Sequence, residues 1–231
     1  MQSGGKPNQS NNNNTIIFKE LGRQNYLNTL AMMQEFTAKR NKETPDQIWF
    51  TEHNPVFSYG VSTDKNELPR ATSIPVIKTD RGGKITYHAP GQLLVYVLFD
   101  LKRRSSTIRT FIHDIERIML NSMRYYIAGA TLNKSEPGIF IKDKKIVSFG
   151  LKISQGKSYH GASINISMNM KPWKKISICG KENQRAWTCC RPGQRTGVPR
   201  PCGRQYRLQA RSTPGGGTRY WPYPTGLCAP A

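Results

Sequence analysis

The residues best able to do chemistry fall in three places along this 231-residue chain. The stretch "DRGGKITYHAPGQ", Asp80 to Gln92, packs Arg81, the Gly82-Gly83 pair, Lys84 and His88 between two apolar runs and closes on Pro90-Gly91. Glycine lets backbone N–H groups approach a ligand closely, so the stretch could cradle an anion, or it could simply turn the chain. Taken alone, the glycines read as a turn, His88 as structural, and Arg81 and Lys84 as solvated charges. An RGG triplet also occurs in RNA-binding segments, but those come as repeats in disordered chain, and this one stands between strands. The second place is the lysine cluster Lys142, Lys144 and Lys145 around a turn, and the third is Cys179. By itself Cys179 reads as a small buried residue. It becomes a nucleophile only if its thiolate is favoured, because a free thiol with a pKa of roughly 8.5 is only a few per cent ionised near neutral pH. A nearby ammonium would supply that bias.

Composition narrows the classes. The formal net charge is +21 and the pI about 10.1, which suits an acidic partner. Hydrophobic residues make up 36%, low for a chain packed throughout. The longest apolar run, "LLVYVLF" at 93–99, is far too short to span a bilayer. The opening "MQSGGKPNQSNNNN" has no apolar core, so no secretory signal and a cytoplasmic location are expected. Of the five cysteines, Cys179 comes first and Cys189, Cys190, Cys202 and Cys228 follow, so the main body is not a disulfide scaffold. The four histidines and Cys179 show no ligand spacing, and no metal is expected.

The elements that must position these residues show in the periodicity. "TIIFKELG" (15–22) predicts a first strand, and "RQNYLNTLAMMQEFTAKRN" (23–41) places Tyr26, Leu27, Leu30, Met33 and Phe36 on one helical face. "QIWFTEH" (47–53) and "SIPVIKTD" (73–80) predict strands, and "QLLVYVLFDL" (92–101) a strand buried on both faces. The clearest helix is "SSTIRTFIHDIERIMLNSMRYYI" (105–127), capped by Ser105 or Ser106, with Ile108, Phe111, Ile112, Ile115, Ile118 and Met119 as its apolar stripe. "GIFIKD" (138–143) and "KKIVSFGLKIS" (144–154) form a hairpin turning near Asp143-Lys144. In "YHGASINISMNM" (159–170), Ala162, Ile164, Ile166 and Met168 alternate with polar residues, the pattern of a half-buried strand. Strands and helices mix without a regular βαβ repeat, which makes the fold α+β, with mixed β-sheets and packed helices.

Composition also divides the chain. Residues 1–14 are rich in Asn, Gln, Ser and Gly and are expected to be disordered. Residues 181–231 hold nine Lys or Arg against the single acid Glu182, many Pro and Gly, and almost no Ile, Val or Leu. That tail has no period that could bury a core and is expected to be disordered, with the composition of out-of-frame or fused sequence.

The motifs together resemble one family. "RGGKITYHAPGQ" resembles the signature R-G-G-x-x-T-x-H-x-P-G-Q of the lipoyl(octanoyl) transferases, with Ala89 where Gly is common. "HNPVFSYG" (53–60) resembles an upstream element of that family, "EPGIFIKDKKIVSFGLKIS" its central block, and "YHGASINIS" its H-G-x-[AS]-[IL]-N block. "ISICG" (176–180) resembles I-x-P-C-G, with Ile178 where Pro is usual. The resemblance covers 15–180 in family order and stops there, before the helix that normally closes the domain.

The resemblance implies a biotin/lipoate protein ligase-like catalytic domain over 15–180 that moves an octanoyl group from octanoyl-acyl carrier protein to a lysine of lipoyl-carrier domains. It implies Cys179 as the acyl-thioester nucleophile and Lys145 as the residue that lowers its pKa and serves as general base. Arg81, Gly82, Gly83, Lys84, Ile85, Thr86, Tyr87 and His88 would bind substrate, with Ser148, Phe149, Gly150, Gly161, Ala162 and Ser163 forming the other walls. Tyr87, Phe149 and Ile164 are candidates to line an acyl tunnel. No cofactor is implied, because the acyl group arrives on the phosphopantetheine of acyl carrier protein. Implied partners are that carrier, the lipoyl domains of 2-oxoacid dehydrogenase E2 subunits and the glycine cleavage H protein, met by a monomer, with no specific nucleic acid and no membrane. Alternatives are an ATP-dependent lipoate–protein ligase, which would need no cysteine, a lipoyl-relay amidotransferase, or an inactive truncated relative.

Overall fold

The computed structural model describes residues 15–69, 71–133 and 136–176. The expectations for 1–14, for 181–231 and for Cys179 fall outside these residues. In chain order the elements are β1 (Ile16–Gln24), α1 (Tyr26–Lys39), β2 (Asp46–His53), β3 (Val56–Tyr59), β4 (Val76–Lys78), β5 (Thr86–His88) and β6 (Gln92–Leu98). Then come α2 (Ile108–Tyr126), β7 (Ala130–Leu132), β8 (Ile139–Ile141), β9 (Lys144–Ser154) and β10 (Lys157–Asn165). Short 3-10 turns occupy Lys65–Glu67 and Lys171–Lys175.

A seven-stranded sheet runs β1-β2-β6-β10-β9-β8-β7, and a three-stranded sheet runs β4-β3-β5. Both are mixed, with β1–β2 and β3–β4 parallel and the other pairs antiparallel. This is the expected α+β architecture. The apolar run of β6 divides between the two faces, as a strand covered on both sides must. Leu94, Tyr96 and Leu98 pack with Tyr26, Leu30 and Met33 of α1. Val95 and Val97 pack with Phe111, Leu120 and Met123 of α2. A third cluster gathers Phe57, Ile85, Tyr87, Met168 and Trp173 around the small sheet.

Both helices depart from expectation in detail. Helix α1 starts at Tyr26 because the Asn25 side chain accepts from the amides of Leu27 and Asn28. Its inner face is Tyr26, Thr29, Leu30, Met33 and Thr37, so Leu27 is 52% exposed and not on the core stripe. Helix α2 is capped by Thr107 through the Thr110 amide, not by Ser105 or Ser106. Ser105 instead holds φ at 48° in the preceding turn. Ile108 in the first turn and Ile118 at the rim of the stripe are both more than half exposed. Apolar period marks a face, but it does not say how far the neighbouring sheet reaches along it.

Strand β10 ends at Asn165 and is buried at every position after Lys157, so it is not half-buried as the alternation predicts. It lies between β6 and β9, and the polar Ser158, His160, Ser163 and Asn165 are buried along with their apolar neighbours. The hairpin of β8 and β9 turns at Lys142-Asp143, with Lys142 at φ 56°.

At one end of β2, Asp46 is 1% exposed and ties three segments together. It accepts from Arg40 Nη2 at 2.6 Å, Arg104 Nε at 2.7 Å, the Asp100 amide at 2.9 Å, and Arg103 Nη2. Burial alone would raise this carboxyl, but the Asp100 amide and the Arg104 and Arg40 guanidiniums overcome it and hold it below the usual range. No helix among the described residues is long and apolar enough to cross a membrane.

Candidate active site

The opposite end of β2, carrying His53, points toward a cleft of about 720 Å3, including the part open to solvent. Three chain segments expected to bind substrate meet there. Arg81, Gly83, Lys84, Ile85, Thr86 and His88 line one side. Ser148, Phe149 and Gly150 come from β9, and Gly161, Ala162 and Ser163 from β10. The register explains the last two, since Ser148, Phe149 and Gly150 sit directly opposite Ser163, Ala162 and Gly161. Lys145 also lines the cleft, from the start of β9.

Two residues of the first segment do not line it. The Gly82 amide donates to the Leu151 carbonyl at 2.9 Å, which closes the turn against β9. Tyr87 is 2% exposed and packs against Phe57 and Trp173. Ile164 joins the core on the α2 side, while Phe149 does line the cleft. Cys179 lies outside the described residues. The sequence reading missed Tyr26, Leu94, Tyr96, Pro137, His160 and Trp173, which complete the lining. Pro137 and His160 stand inside the quoted family blocks, directly beside residues that were singled out. Nothing in the local pattern marks Tyr26, Leu94 or Tyr96 as more than core.

Lys145 is 4% exposed, far from the surface charge that a lysine beside a hairpin turn usually is. Its Nζ donates to Glu136 Oε1 at 2.9 Å, and both side chains are 5% exposed. Burying a charge is tolerable only with a partner of this kind. Gly138 makes room for it. A Cβ there would lie 2.4 Å from Lys145 Cε, and φ at 156° is a conformation that L side chains rarely adopt. Gly60 serves the turn in a similar way, since a Cβ would meet the carbonyls of Gly83 at 2.4 Å and Arg81 at 2.6 Å.

Arg81 is also buried, at 7% exposure, but no carboxylate pairs with it among the described residues. Neutral oxygens hold it. Nη2 donates to the Ser58 carbonyl at 2.7 Å and to Ser58 Oγ at 3.1 Å, and Nη1 donates to the Gly82 carbonyl at 3.0 Å. Ser58 Oγ in turn donates to His88 Nε2 at 2.9 Å, and His88 Nδ1 donates to Gln92 Oε1 at 2.7 Å. Gln92 Nε2 donates on to Asn165 Oδ1 at 2.8 Å. This chain fixes His88 as the neutral Nδ1–H tautomer. Burial first, then repulsion from His53, pushes His88 well below the ordinary histidine range.

Of two further histidines, His160 lines the cleft and His53 lies against the cleft residues Tyr96 and Tyr26. His53 donates from Nδ1 to the Gln24 carbonyl at 3.0 Å and accepts from the Tyr96 hydroxyl at 2.7 Å. Burial lowers it to about 4. His160 bonds Asp80 Oδ1 through Nε2 at 3.0 Å, and Asp80 also accepts from the Tyr159 hydroxyl. Burial pulls His160 down and Asp80 pulls it partly back, while the His160 bond is the main reason Asp80 stays far below the usual carboxylate range. All three histidines are thus held toward the neutral form, beside the Arg81 guanidinium and the Lys84–Glu67 ion pair.

Known proteins place this arrangement. Residues 25–198 match the lipoyl protein ligase A/B catalytic domain. The octanoyltransferase of Vesicomyosocius okutanii subsp. Calyptogena okutanii is 44% identical over 170 residues, 74% of this chain and 83% of that protein. The octanoyltransferase of Vibrio vulnificus strain YJ016 is 40% identical over 167 residues, 72% and 77% of the two chains. Among solved structures, a bi-partite lipoate protein ligase from Thermoplasma acidophilum superposes with a TM-score of 0.61 at 14% identity, covering 76% of this chain and 75% of that one. Lipoate-protein ligase A bound with ATP gives 0.56 at 16% identity, covering 75% of each chain. At those identities the structural likeness concerns the fold alone. With the family match spanning most of the chain and the named relatives all transferring an acyl group, this chain belongs to the lipoyl protein ligase A/B catalytic domain family and is an acyltransferase.

Proposed function

We propose that this chain transfers an octanoyl group from octanoyl-acyl carrier protein to a lysine of a lipoyl-carrier domain, in lipoate biosynthesis, through a thioester on Cys179. The observation that carries the reading is Lys145, a buried lysine brought into one cleft with the 81–88, 148–150 and 161–163 segments. The octanoyltransferase relatives support the choice of acyl group.

In the first step the Cys179 thiolate attacks the thioester carbonyl. A new carbon–sulfur bond forms, the bond to the pantetheine sulfur breaks, and the Lys145 ammonium protonates the departing thiolate. In the second step Lys145, now neutral, takes a proton from the incoming lysine ammonium, and that amine attacks the acyl-enzyme. A carbon–nitrogen bond forms, Cys179 leaves as thiolate, and the second amine proton passes to solvent. Glu136 holds Lys145 throughout. The thioester is already activated, so neither ATP nor a resident cofactor is required. The basic charge of the chain suits the acidic carrier protein and the acidic lipoyl domains of 2-oxoacid dehydrogenase E2 subunits and the glycine cleavage H protein.

Intact mass after mixing with octanoyl-acyl carrier protein tests the reading. The full chain gains one octanoyl group without ATP, and Cys179→Ala gains none. Uptake that appears only with ATP would assign the chain to the ligases instead.

A further inference from the structure

Charge beside the cleft is unevenly offset. Lys171, Lys174 and Lys175 share the 3-10 turn Lys171–Lys175, and all three are exposed. No carboxylate pairs with any of them among the described residues, whereas Lys39, Lys84 and Lys145 reach Glu35, Glu67 and Glu136. From Ile166 to Ile176 the chain has no Asp or Glu. Like charges on one short turn repel one another, and an approaching anionic surface relieves that repulsion.

The turn is held firmly. Pro172 stands at its start, and Trp173 is 6% exposed, edge-on to Tyr87, and lines the cleft. The Lys171 amide donates to Asn169 Oδ1 at 3.0 Å, and Lys175 Nζ donates to the Ala71 carbonyl at 2.8 Å, which ties the turn to the neighbouring loop. Backbone fixed in this way has little ordering left to lose when a partner docks. Leu68, Ile74, Met170 and Ile176 are partly buried around the same cluster, so apolar surface adjoins the charges. An apolar centre with a polar rim is the usual anatomy of a protein interface.

We propose that Lys171 and Lys174, with Lys175 beside them, form a docking surface for the acidic carrier protein that delivers the acyl thioester. This rests on the octanoyl-transfer reading and says where the donor sits. Reach favours the donor over the lipoyl acceptor. An acceptor lysine must bring its domain close over the reacting atoms, whereas a pantetheine arm is much longer and lets its carrier sit to one side. The turn offers such a seat, since Trp173 borders the cleft and the three lysines do not line it. Lys175 precedes Cys179 by four residues, a span of at most about 14 Å, so a carrier seated here keeps its arm near the nucleophile.

The test measures binding of octanoyl-acyl carrier protein to the full chain with Cys179→Ala, which takes up no acyl group. Adding Lys171→Glu and Lys174→Glu together weakens binding by roughly tenfold, mostly through the association rate, and removes most of its salt dependence. Lys171→Gln with Lys174→Gln weakens it less. Both side chains are exposed, so melting temperatures stay at the parent's value. Lys42→Glu with Arg109→Glu makes the same change in net charge at exposed positions elsewhere and leaves affinity within about threefold. The proposal is overturned if this control loses as much, if the reversed lysines keep affinity within about twofold, or if binding of a lipoyl domain falls equally. A parent that does not bind the carrier overturns it too. Octanoyl-pantetheine, the arm without the carrier, separates docking from chemistry: with Cys179 in place, the charge-reversed chain is acylated by it at the parent's rate, and an equal loss there sinks the docking role. If neither donor acylates the native chain while charge reversal still abolishes carrier binding, the transfer reading fails and the docking surface stands.

Discussion

Two buried arginine-containing centres stand at opposite ends of β2, and they are built differently. At the Asp46 end, Arg40, Arg103 and Arg104 converge on one carboxylate. At the His53 end, Arg81 is held by the oxygens of Ser58 and Gly82 with no carboxylate among the described residues. Among the described residues donors are left over in both places, including Arg40 Nη1 and Arg104 Nη2 at the first and Trp173 Nε1 at the second. The leftovers at Asp46 belong to guanidiniums already bound through other nitrogens, whereas Trp173 has no other polar atom. At the first centre one shared carboxylate ties segments together, whereas at the second neutral oxygens pin the turn that shapes the cleft wall.

Breaking each centre should give opposite signatures. The largest effect is expected from Asp46→Ala, which leaves three guanidiniums facing one another. Unfolding free energy falls by roughly 3–5 kcal/mol, read by urea denaturation, and acyl transfer is lost only as the protein unfolds. Arg81→Met should cost less stability, about 1–2 kcal/mol from carbonyls left unpaired. It should slow acyl-enzyme formation on the order of a hundredfold, because the turn that shapes the cleft wall is no longer pinned. Equal stability losses in the two variants would erase the distinction.

Acid should separate the centres by pH. His53 has its pKa lowered from 6.5 to about 4, so between these values the unfolded chain binds a proton that the folded one refuses. Stability from this source is complete above pH 6.5 and declines as pH falls toward 4, by on the order of 3 kcal/mol in all. His88 and His160 act in the same direction. The Asp46 carboxyl is also held low, so its contribution is present above the ordinary carboxylate value and is lost only at still lower pH. Melting temperatures across this range should fall in two stages, and Asp46→Asn should shrink the second, which Asp80 shares, and spare the first. The smallest effect is expected from Leu27→Ser on the exposed face of α1. It should change stability by less than about 0.5 kcal/mol, where a buried α1 residue such as Leu30 would cost several times more on truncation.

The site was legible where a motif encoded a backbone need, and hidden where tertiary packing decided. The Arg81–His88 segment, Lys145 and the paired strands announced themselves because glycines and fixed polar residues recur at set intervals in a known family order. Glu136 did not, although it holds Lys145, because a carboxylate before a Pro-Gly pair has no period to betray it. Tyr26 and Tyr96 read as core, and they are core, but they border the cleft as well. The same limit applies to the fold. Strand β6 was recognisable as doubly covered from its unbroken apolar run, whereas β10 alternates in sequence and is nevertheless buried on both faces by its place between β6 and β9. Alternation records which side chains are apolar, and only the neighbours determine whether the polar ones meet water.

The position of β10 also matters while the protein is being made. Among the described residues, β6 and β9 do not pair with each other, and β10 lies between the β1-β2-β6 half of the large sheet and the β9-β8-β7 half. A growing chain that has reached Ser154 therefore holds Arg81, His88 and Lys145 but has two separate half-sheets, each with an unpaired apolar edge. Such edges are prone to pair wrongly. Residues 157–165 are thus needed before the two halves of the sheet can join. Fragments ending before them should be inactive and should aggregate, however complete their list of cleft residues.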